Sequence, residues 1–420
     1  MIVDRRVISQ IRPWLRKEKI ILLTGPRQVG KTTILRILEA ELKKTSKTLF
    51  YSCDFEIGNP VFKDSRLFMN LLEAELGQGP RIFVFLDEFQ YVPQAGLFLK
   101  PVFDRLKDRV QFIVTGSSSL EIARNREFLT GRKIEFPVTP FTFREWLTLS
   151  SATAFPEDIP IERTSDIVDF FETYRAELEG RVLTYLNWGG YPEPALEPAE
   201  RRASLIREIV GTYLQKDIAG FLNISRLESF NNLIRLLAAQ VGGLVNKNEI
   251  SSTLGLNLTT LNKYLAVLEG TYMFTFLAPF FSNVRKEISK MKKVYMFDPG
   301  VRRILTQGRA ASSLGEVGGS DVENFVFSTL RCDPRVIKLN YYRTISKSEI
   351  DFIAHGEDRL VPIEVKFQSN FARVPTSIRH FNQFYKNKTG ASLVITRDYA
   401  GREGEVHFVP FFVLPFVAIL

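Results

Sequence analysis

The chain has 420 residues, more than a single typical hydrophobic core organises, so roughly two to four domains are expected. Apolar residues at 45% and charged residues at 25% are ordinary for a globular protein, while a formal net charge of +9 permits a nucleic-acid partner without requiring one. Two cysteines, far apart in sequence, exclude a disulfide framework, and with only three histidines beside them a zinc site is not expected. The N-terminus lacks the apolar core of a signal peptide, and no stretch approaches the ~20 apolar residues that span a bilayer, so a cytoplasmic location without membrane contact is expected.

Arg5 to Lys19 reads as a lead-in helix, with Val7, Ile8, Ile11 and Leu15 on one side. Ile20 to Leu23 forms a short buried strand. It runs into Gly25-Pro26-Arg27-Gln28-Val29-Gly30-Lys31-Thr32, which fits G-x-x-x-x-G-K-[ST] without a mismatch, and then Thr33. Ile34, Leu35, Ile37 and Leu38 make the next stretch an amphipathic helix. Phosphates need donors that cost little to organise, and the N–H groups of a Gly-rich turn and a helix N-terminus supply them. Lys31 is expected to reach the β- and γ-phosphates and the Thr32 hydroxyl to hold Mg²⁺. A chance match in a Gly-containing turn is outweighed by the full motif in its strand–helix setting.

Thr48 to Asp54 is a second strand and Phe68 to Leu76 a helix. Ile82 to Leu86 is a continuous apolar strand running directly into Asp87-Glu88. Such a strand is central in a parallel sheet, and its carboxyl end is where ligands bind. Asp87 is expected to hold Mg²⁺ through water and Glu88 to polarise the attacking water; exposed acids at a strand end are the alternative. Val110 to Thr115 ends in Gly116-Ser117-Ser118-Ser119, where a hydroxyl can lie between the glutamate and the γ-phosphate. Ser117 is the first candidate and Thr115 the second, although a serine here would also cap a helix. Arg132, before the strand Lys133 to Val138, could meet a neighbour's γ-phosphate as a finger and so imply self-association; a surface arginine is the favoured reading.

GPRQVGKTT, IFVFLDEFQ, IVTGSSS, LTGRKIEFPVTPFTFREW and WGGYPEP together resemble a prokaryotic family of AAA-like P-loop ATPases that carry a C-terminal domain of unknown function. The resemblance runs through most of the chain and ends near Glu364 to Lys366. It implies ATP as the nucleotide. Thr130 departs from it, since a proline or small residue is more usual there.

Ser151 to Arg163 reads as a linker or insertion, followed by helical patterns at Ile167 to Leu178 and Leu205 to Phe221. Between those helices, Asn187 to Pro194 is a rigid turn expected to pack a helical lid against the nucleotide domain; Asp217 is read as structural. Phe230 to Ala239, Asn248 to Gly255 and Thr259 to Gly270 are short helices, and Tyr272 to Phe281 alternates like a strand. That order is helix-turn-helix with a wing. Thr259, Thr260, Asn262 and Lys263 would begin a recognition helix. Beyond it stand Arg285, Lys286, Lys290, Lys292, Lys293, Arg302, Arg303 and Arg309 against only Glu287 and Asp298, the densest positive stretch in the chain. DNA contact, protein docking and a merely solvated basic face all remain open.

Near the C-terminus, Glu323 lies on a helix opposite its apolar face, and Asp351 on a strand. Glu364 and Lys366 follow two apart, on one face of the next strand. A helix, Ser377 to Tyr385, and a strand, Ser392 to Thr396, complete the order of the PD-(D/E)xK nuclease fold. Its carboxylates hold Mg²⁺ or Mn²⁺ while the lysine orients or deprotonates water. Such a domain can also bind without cutting.

The expected architecture is therefore α/β. An ATPase domain with a parallel P-loop sheet covers 1–150, a helical lid and linker 151–227, a winged-helix module 228–300 and a nuclease-like α/β domain 301–420. The expected function is ATP hydrolysis coupled to a DNA-binding, nuclease-like C-terminal region, serving DNA processing or defence. The alternative is an ATP-dependent regulatory switch whose C-terminal modules bind protein or DNA without cleavage. A helicase motor is disfavoured because no second motor core is present.

Overall fold

The computed structural model describes residues 5–116, 129–150, 153–156, 158–213, 227–281, 290–344, 348–386 and 388–420. The chain divides into two compact units. The first is Met1–Pro140 with Thr212–Leu222 and Ala266–Met273; the second is Phe141–Gly211 with Asn223–Leu265 and Phe274–Leu420. Residues 141–150 fall in the second unit.

In the first unit the lead-in is a short helix α1 (Arg6–Ile11) and a 3-10 turn, Arg12–Trp14. Pro13 lacks the N–H that a continued helix would need, so the single helix expected to Lys19 does not form. The chain then alternates β1 (Ile20–Thr24), α2 (Lys31–Leu42), β2 (Lys47–Ser52), α3 (Ser65–Leu76), β3 (Ile82–Asp87), α4 (Ala95–Leu106), β4 (Val110–Gly116) and β5 (Lys133–Pro137). All five strands are parallel, in the order β2-β3-β4-β1-β5. Every residue of β1, β3 and β4 is buried, which is why these apolar runs take the interior positions. One face packs on α3 and α4 through Phe68, Leu72, Phe98 and Leu99, where the Phe68 and Phe98 rings lie 5.3 Å apart.

The second unit begins with α5 (Phe143–Ser150), β6 (Ile159–Pro160), α6 (Thr164–Trp188), α7 (Pro192–Leu196) and α8 (Ala199–Thr212). The stretch 151–163 is not simply a linker: β6 pairs in parallel with the C-terminal strand Val417–Ala418, and Asp158 bonds Arg335 at 3.1 Å. The turn at 187–194 is organised by Asp298. Its carboxylate accepts from the amides of Gly190 at 2.7 Å and Val301 at 2.8 Å, while the Phe141 N–H donates to the Gly190 carbonyl at 2.7 Å. These described partners lie within the second unit, so the turn braces that unit internally.

There follow α9 (Leu227–Ala239), α10 (Lys247–Leu254), α11 (Leu258–Gly270), β7 (Phe274–Leu277), β8 (Lys293–Met296), α12 (Pro299–Leu305) and α13 (Gly319–Arg331). Asn246 caps α10, and Gly255, at φ 60°, ends it with the left-handed turn that glycine tolerates. β7 and β8 pair antiparallel. The rest is β9 (Lys338–Arg343), β10 (Glu349–His355), β11 (Leu360–Lys366), α14 (Thr376–Phe384), β12 (Ser392–Thr396), β13 (Gly401–Glu403), β14 (Val406–Pro410) and β15 (Val417–Ala418). Six strands form a mixed sheet, β13-β14-β12-β11-β10-β9, with β9 to β11 antiparallel and β11, β12 and β14 parallel. Ile350, Ile353, Val394 and Phe408 bury one face against Ile378 and Phe381 of α14. Among the described residues no helix is long and apolar enough to cross a membrane.

Candidate functional site

The loop from Gly25 to Gly30 curls because three of its residues take positive φ: Gly25 at 147°, Gln28 at 62° and Gly30 at 91°. Gly25 is required for space as well, since a Cβ there would lie 2.0 Å from the Val138 carbonyl oxygen. Pro26 and Val29 are buried, Arg27 is half-buried and Gln28 exposed. Lys31 opens α2 and is itself buried, its ammonium donating to the carbonyls of Gly25 at 2.9 Å and Pro26 at 2.6 Å. The lysine therefore lies across the loop with its charge inside the curl. Thr32 and Thr33 follow, exposed, in the first turn of α2. Arg5, overlooked in the sequence, braces this loop from a buried position, donating to Val29 O at 3.0 Å and Thr139 O at 2.7 Å.

Asp87 ends β3 and is buried. Strand β4 lies between β1 and β3, so its C-terminal Thr115 pairs with Leu23 of β1 and reaches the acids of β3. The Thr115 hydroxyl donates to Asp87 Oδ1 at 2.5 Å and accepts the Glu88 amide at 2.9 Å. Glu88 itself sits in the left-handed region at φ 50°, and its carboxylate is held by Gln90. Thr115, the second candidate, thus locks both acids. Ser117, the first candidate, lies outside the described residues. Cys53 donates its amide to the Asp87 carbonyl, and burial followed by the nearby Asp87 charge pushes its thiol up to about 12, which disfavours the thiolate.

Arg132 lies beside the N-terminal end of β1, at the opposite end of the sheet from the phosphate loop of its own chain. Asp104 grips its guanidinium in a bidentate pair at 2.6 and 2.9 Å. A finger role would require Arg132 to give up this partner.

In the second unit Glu323 (α13), Asp351 (β10) and Glu364 with Lys366 (β11) converge as the order of elements suggests, but around a residue assigned to another role. Lys293, counted in the basic surface stretch, is 3% exposed. Its ammonium bonds Glu349 Oε1 at 2.6 Å, Glu323 Oε1 at 3.1 Å and Asp351 Oδ1 at 3.3 Å. This corrects its assignment as a DNA contact: pairing with β7 turns the side chain inward among acids. Glu323 is half-buried beside it and also accepts the Tyr295 hydroxyl at 2.6 Å. Asp351 Oδ2 accepts the Val365 amide at 2.9 Å, and Lys366 bonds Glu364 Oε1 at 2.6 Å. Among the described residues, Glu364 Oε2 is buried with no hydrogen-bond partner. Burial works against the charge on Lys293, but Asp351, Glu323 and Glu349 outweigh it and hold the ammonium protonated above the usual lysine range. Lys366 and Arg343 add charge at the edges of the cluster, on Glu364 and Glu349, yet the buried acids still crowd one another. Burial first, then Asp351, therefore pushes both Glu323 and Glu364 upward toward the protonated form.

The rest of the basic stretch is also partly spent inside the unit. Arg302 pairs with Asp321 and Arg303 stacks on Trp188 at 4.4 Å, whereas Lys290 and Arg309 are exposed and Lys292 half-exposed. Arg285 and Lys286 lie outside the described residues. On α11, Thr259, Asn262 and Lys263 are exposed and Thr260 partly so. Lys247 of α10 joins them, its ammonium on Asn262 Oδ1 at 2.7 Å.

Residues 17–147 match the family model described as an AAA domain. Over these residues the chain is similar to an AAA-type P-loop ATPase domain. Beyond this AAA domain, residues 180–312 and 318–412 match two models described as domains of unknown function (DUF8612 and DUF4143). Most of the chain is similar to uncharacterised proteins of Haemophilus influenzae, at 23% identity over 88% of this chain and 87% of that protein, and of Mycobacterium tuberculosis, at 25% over 87% and 74%. A similar protein of Methanocaldococcus jannaschii, also uncharacterised, is 27% identical over 80% and 73%. Among solved structures, the Thermotoga maritima RuvB Holliday junction branch migration motor is 16% identical, covers 65% of this chain and 89% of its own, and gives a TM-score of 0.31. The Aeropyrum pernix ORC1 protein in complex with DNA is 16% identical over 73% and 93%, with a TM-score of 0.30.

Two signals in the sequence were open to a closer reading. Glu349 stands two residues before Asp351 and so shares its face of β10. Lys293 and Tyr295 share one face of β8 in the same way, but nothing local says that this face meets α13 and β10.

Proposed function

We propose that the chain hydrolyses ATP in its AAA domain and uses the nucleotide state to govern a second unit that binds DNA and is nuclease-like in arrangement. The observation that carries the first half is the Thr115 hydroxyl joining Asp87 and Glu88 at the strand ends beside the phosphate loop. The loop from Gly25 to Thr33, with its positive-φ turns and the start of α2, suits a triphosphate. Lys31 would exchange its two carbonyl acceptors for the β- and γ-phosphate oxygens. Thr32 and Asp87 would hold Mg²⁺, which when bound neutralises phosphate charge. Asp87 fits that task because Thr115 fixes one of its oxygens in a buried setting. Glu88, oriented through its own amide by the same hydroxyl, would align the attacking water and take its proton.

For the second half, support comes from the exposed Lys247, Thr259, Asn262 and Lys263 on a helix–turn–helix order, with Lys290 and Lys292 nearby in sequence. The rival reading, a docking surface for protein, is favoured by how few of these residues are basic. Salt dependence separates the two. DNA retention by the wild type should fall steeply with salt, and replacing Lys263, Lys290 and Lys292 by Glu should reduce the slope by about 0.9 for each phosphate no longer neutralised. No retention at low salt would leave the protein-binding switch as the reading.

A further inference from the structure

The acids of β10, β11 and α13 make sense as a nuclease-like set only if a divalent cation can sit among them, and Lys293 decides whether it can. Its ammonium lies 2.6 to 3.3 Å from oxygens of Glu349, Glu323 and Asp351, two carboxylates from β10 and one from α13. A magnesium ion demands near-octahedral oxygen ligands at about 2.0–2.1 Å and would meet a fixed positive charge at the centre of that shell. Among the described residues no three His, Cys, Asp or Glu side chains are grouped so as to hold a metal ion.

The lysine is anchored from both sides of its backbone. It pairs with Leu277 of β7 on one edge. On the other, the segment 242–245 closes on β8 through Gly242 N–H to Val294 O at 2.9 Å, Val294 N–H to Gly243 O at 3.1 Å and Val245 N–H to Lys292 O at 2.8 Å. Gly242, at φ 81°, passes so close to the cluster that a Cβ would lie 2.9 Å from Glu323 Oε2. Tyr295, two residues on, adds its hydroxyl to Glu323 from the same strand. Strand β8 therefore delivers a cation and a hydroxyl donor together into the acids. What is left over is one corner, where Glu364 Oε2 has no hydrogen-bond partner beside Asp351, and Lys366 already occupies the other oxygen of Glu364. Two carboxylates can hold Mg²⁺ only with waters or phosphate oxygens completing its octahedron, and here Lys366 already takes one oxygen of Glu364 while Lys293 takes one of Asp351.

We propose that Lys293 is the resident cation of this cluster. Its ammonium takes the seat a divalent metal would need, so the second unit keeps its nuclease-like acids metal-free and cleaves no phosphodiester. This rests on reading Glu323, Asp351, Glu364 and Lys366 as nuclease-like, and it assigns the unit to binding without cutting.

The test counts Mn²⁺ bound to the nucleotide-free full chain by electron paramagnetic resonance of the free ion. Wild type and Asp351→Asn should bind the same amount, and wild type should leave labelled single- and double-stranded DNA intact in Mn²⁺. Lys293→Gln should gain an Mn²⁺ site at least about tenfold tighter than anything in the wild type, abolished again when Asp351→Asn is added. The proposal is overturned by an Mn²⁺ in the wild type that disappears with Asp351→Asn. DNA cleavage by the wild type that Lys366→Ala abolishes overturns it too, as does a folded Lys293→Gln that gains no Mn²⁺. If Lys293→Gln does not fold, the wild-type and Asp351→Asn counts decide alone. DNA retention is measured separately, so its loss would remove the reading of the second unit as DNA-binding without moving these counts.

Discussion

Thr115 has one hydroxyl and uses it twice, as donor to Asp87 and as acceptor from the Glu88 amide. Thr115→Val keeps the shape and removes both bonds. ATP turnover should fall about 10–100-fold, as for other losses of groups that orient metal ligands, while ATP affinity stays within about threefold. An unchanged rate would show that the acids hold their places without it. Asp298 is the second instructive residue. Burial outweighs the amides that bond it and raises its carboxyl to about 6. Its folded pKa lies above the unfolded value, so its contribution is fully present below about pH 4 and is lost as pH rises through about 6. By denaturant unfolding, wild type should lose roughly 3 kcal/mol relative to Asp298→Asn between pH 4 and pH 7.5. The opposite trend, wild type gaining on the variant as pH rises, would contradict this.

At the scale of elements, the phosphate loop shows how far local sequence reaches. An apolar strand, two glycines and an amphipathic helix define β1, the curl and α2 without help from distant residues. The close approach of Val138 to Gly25 is the tertiary part, and it makes Gly25→Ala severe: at φ 147° with a Cβ 2.0 Å from a carbonyl, the variant should lose at least about tenfold in ATP affinity. Wild-type affinity in that variant would show that the loop shifts freely. Strand periodicity likewise places Asp351, Glu364 and Lys366 on shared faces, because alternation is a local property. It could not place Lys293. A lysine in a run of basic residues looks like surface until β8 is paired with β7 and turned toward α13, and that pairing is long-range. The same limit applies to residues 151–163, whose short strand forms only because the last residues of the chain come back to meet it.

For the whole molecule, a formal charge of +9 permits a nucleic-acid partner, yet part of the densest basic stretch is consumed within the second unit by acids and by an aromatic ring. What remains for a nucleic acid is a smaller set on α10, α11 and the segment before β8. If Lys293 holds the metal seat as proposed, the second unit binds without cutting, and the proposed ATP hydrolysis would serve a switch. The central claim is turnover by Lys31 and Glu88. The most direct measurement is steady-state ATP hydrolysis alongside equilibrium ATP binding for the wild type, Lys31→Ala and Glu88→Gln. The account predicts hydrolysis by the wild type, loss of both binding and turnover in Lys31→Ala, and retained binding with turnover reduced by at least about 100-fold in Glu88→Gln. A wild type that binds no ATP, or a Glu88→Gln variant that turns over at the wild-type rate, would contradict it.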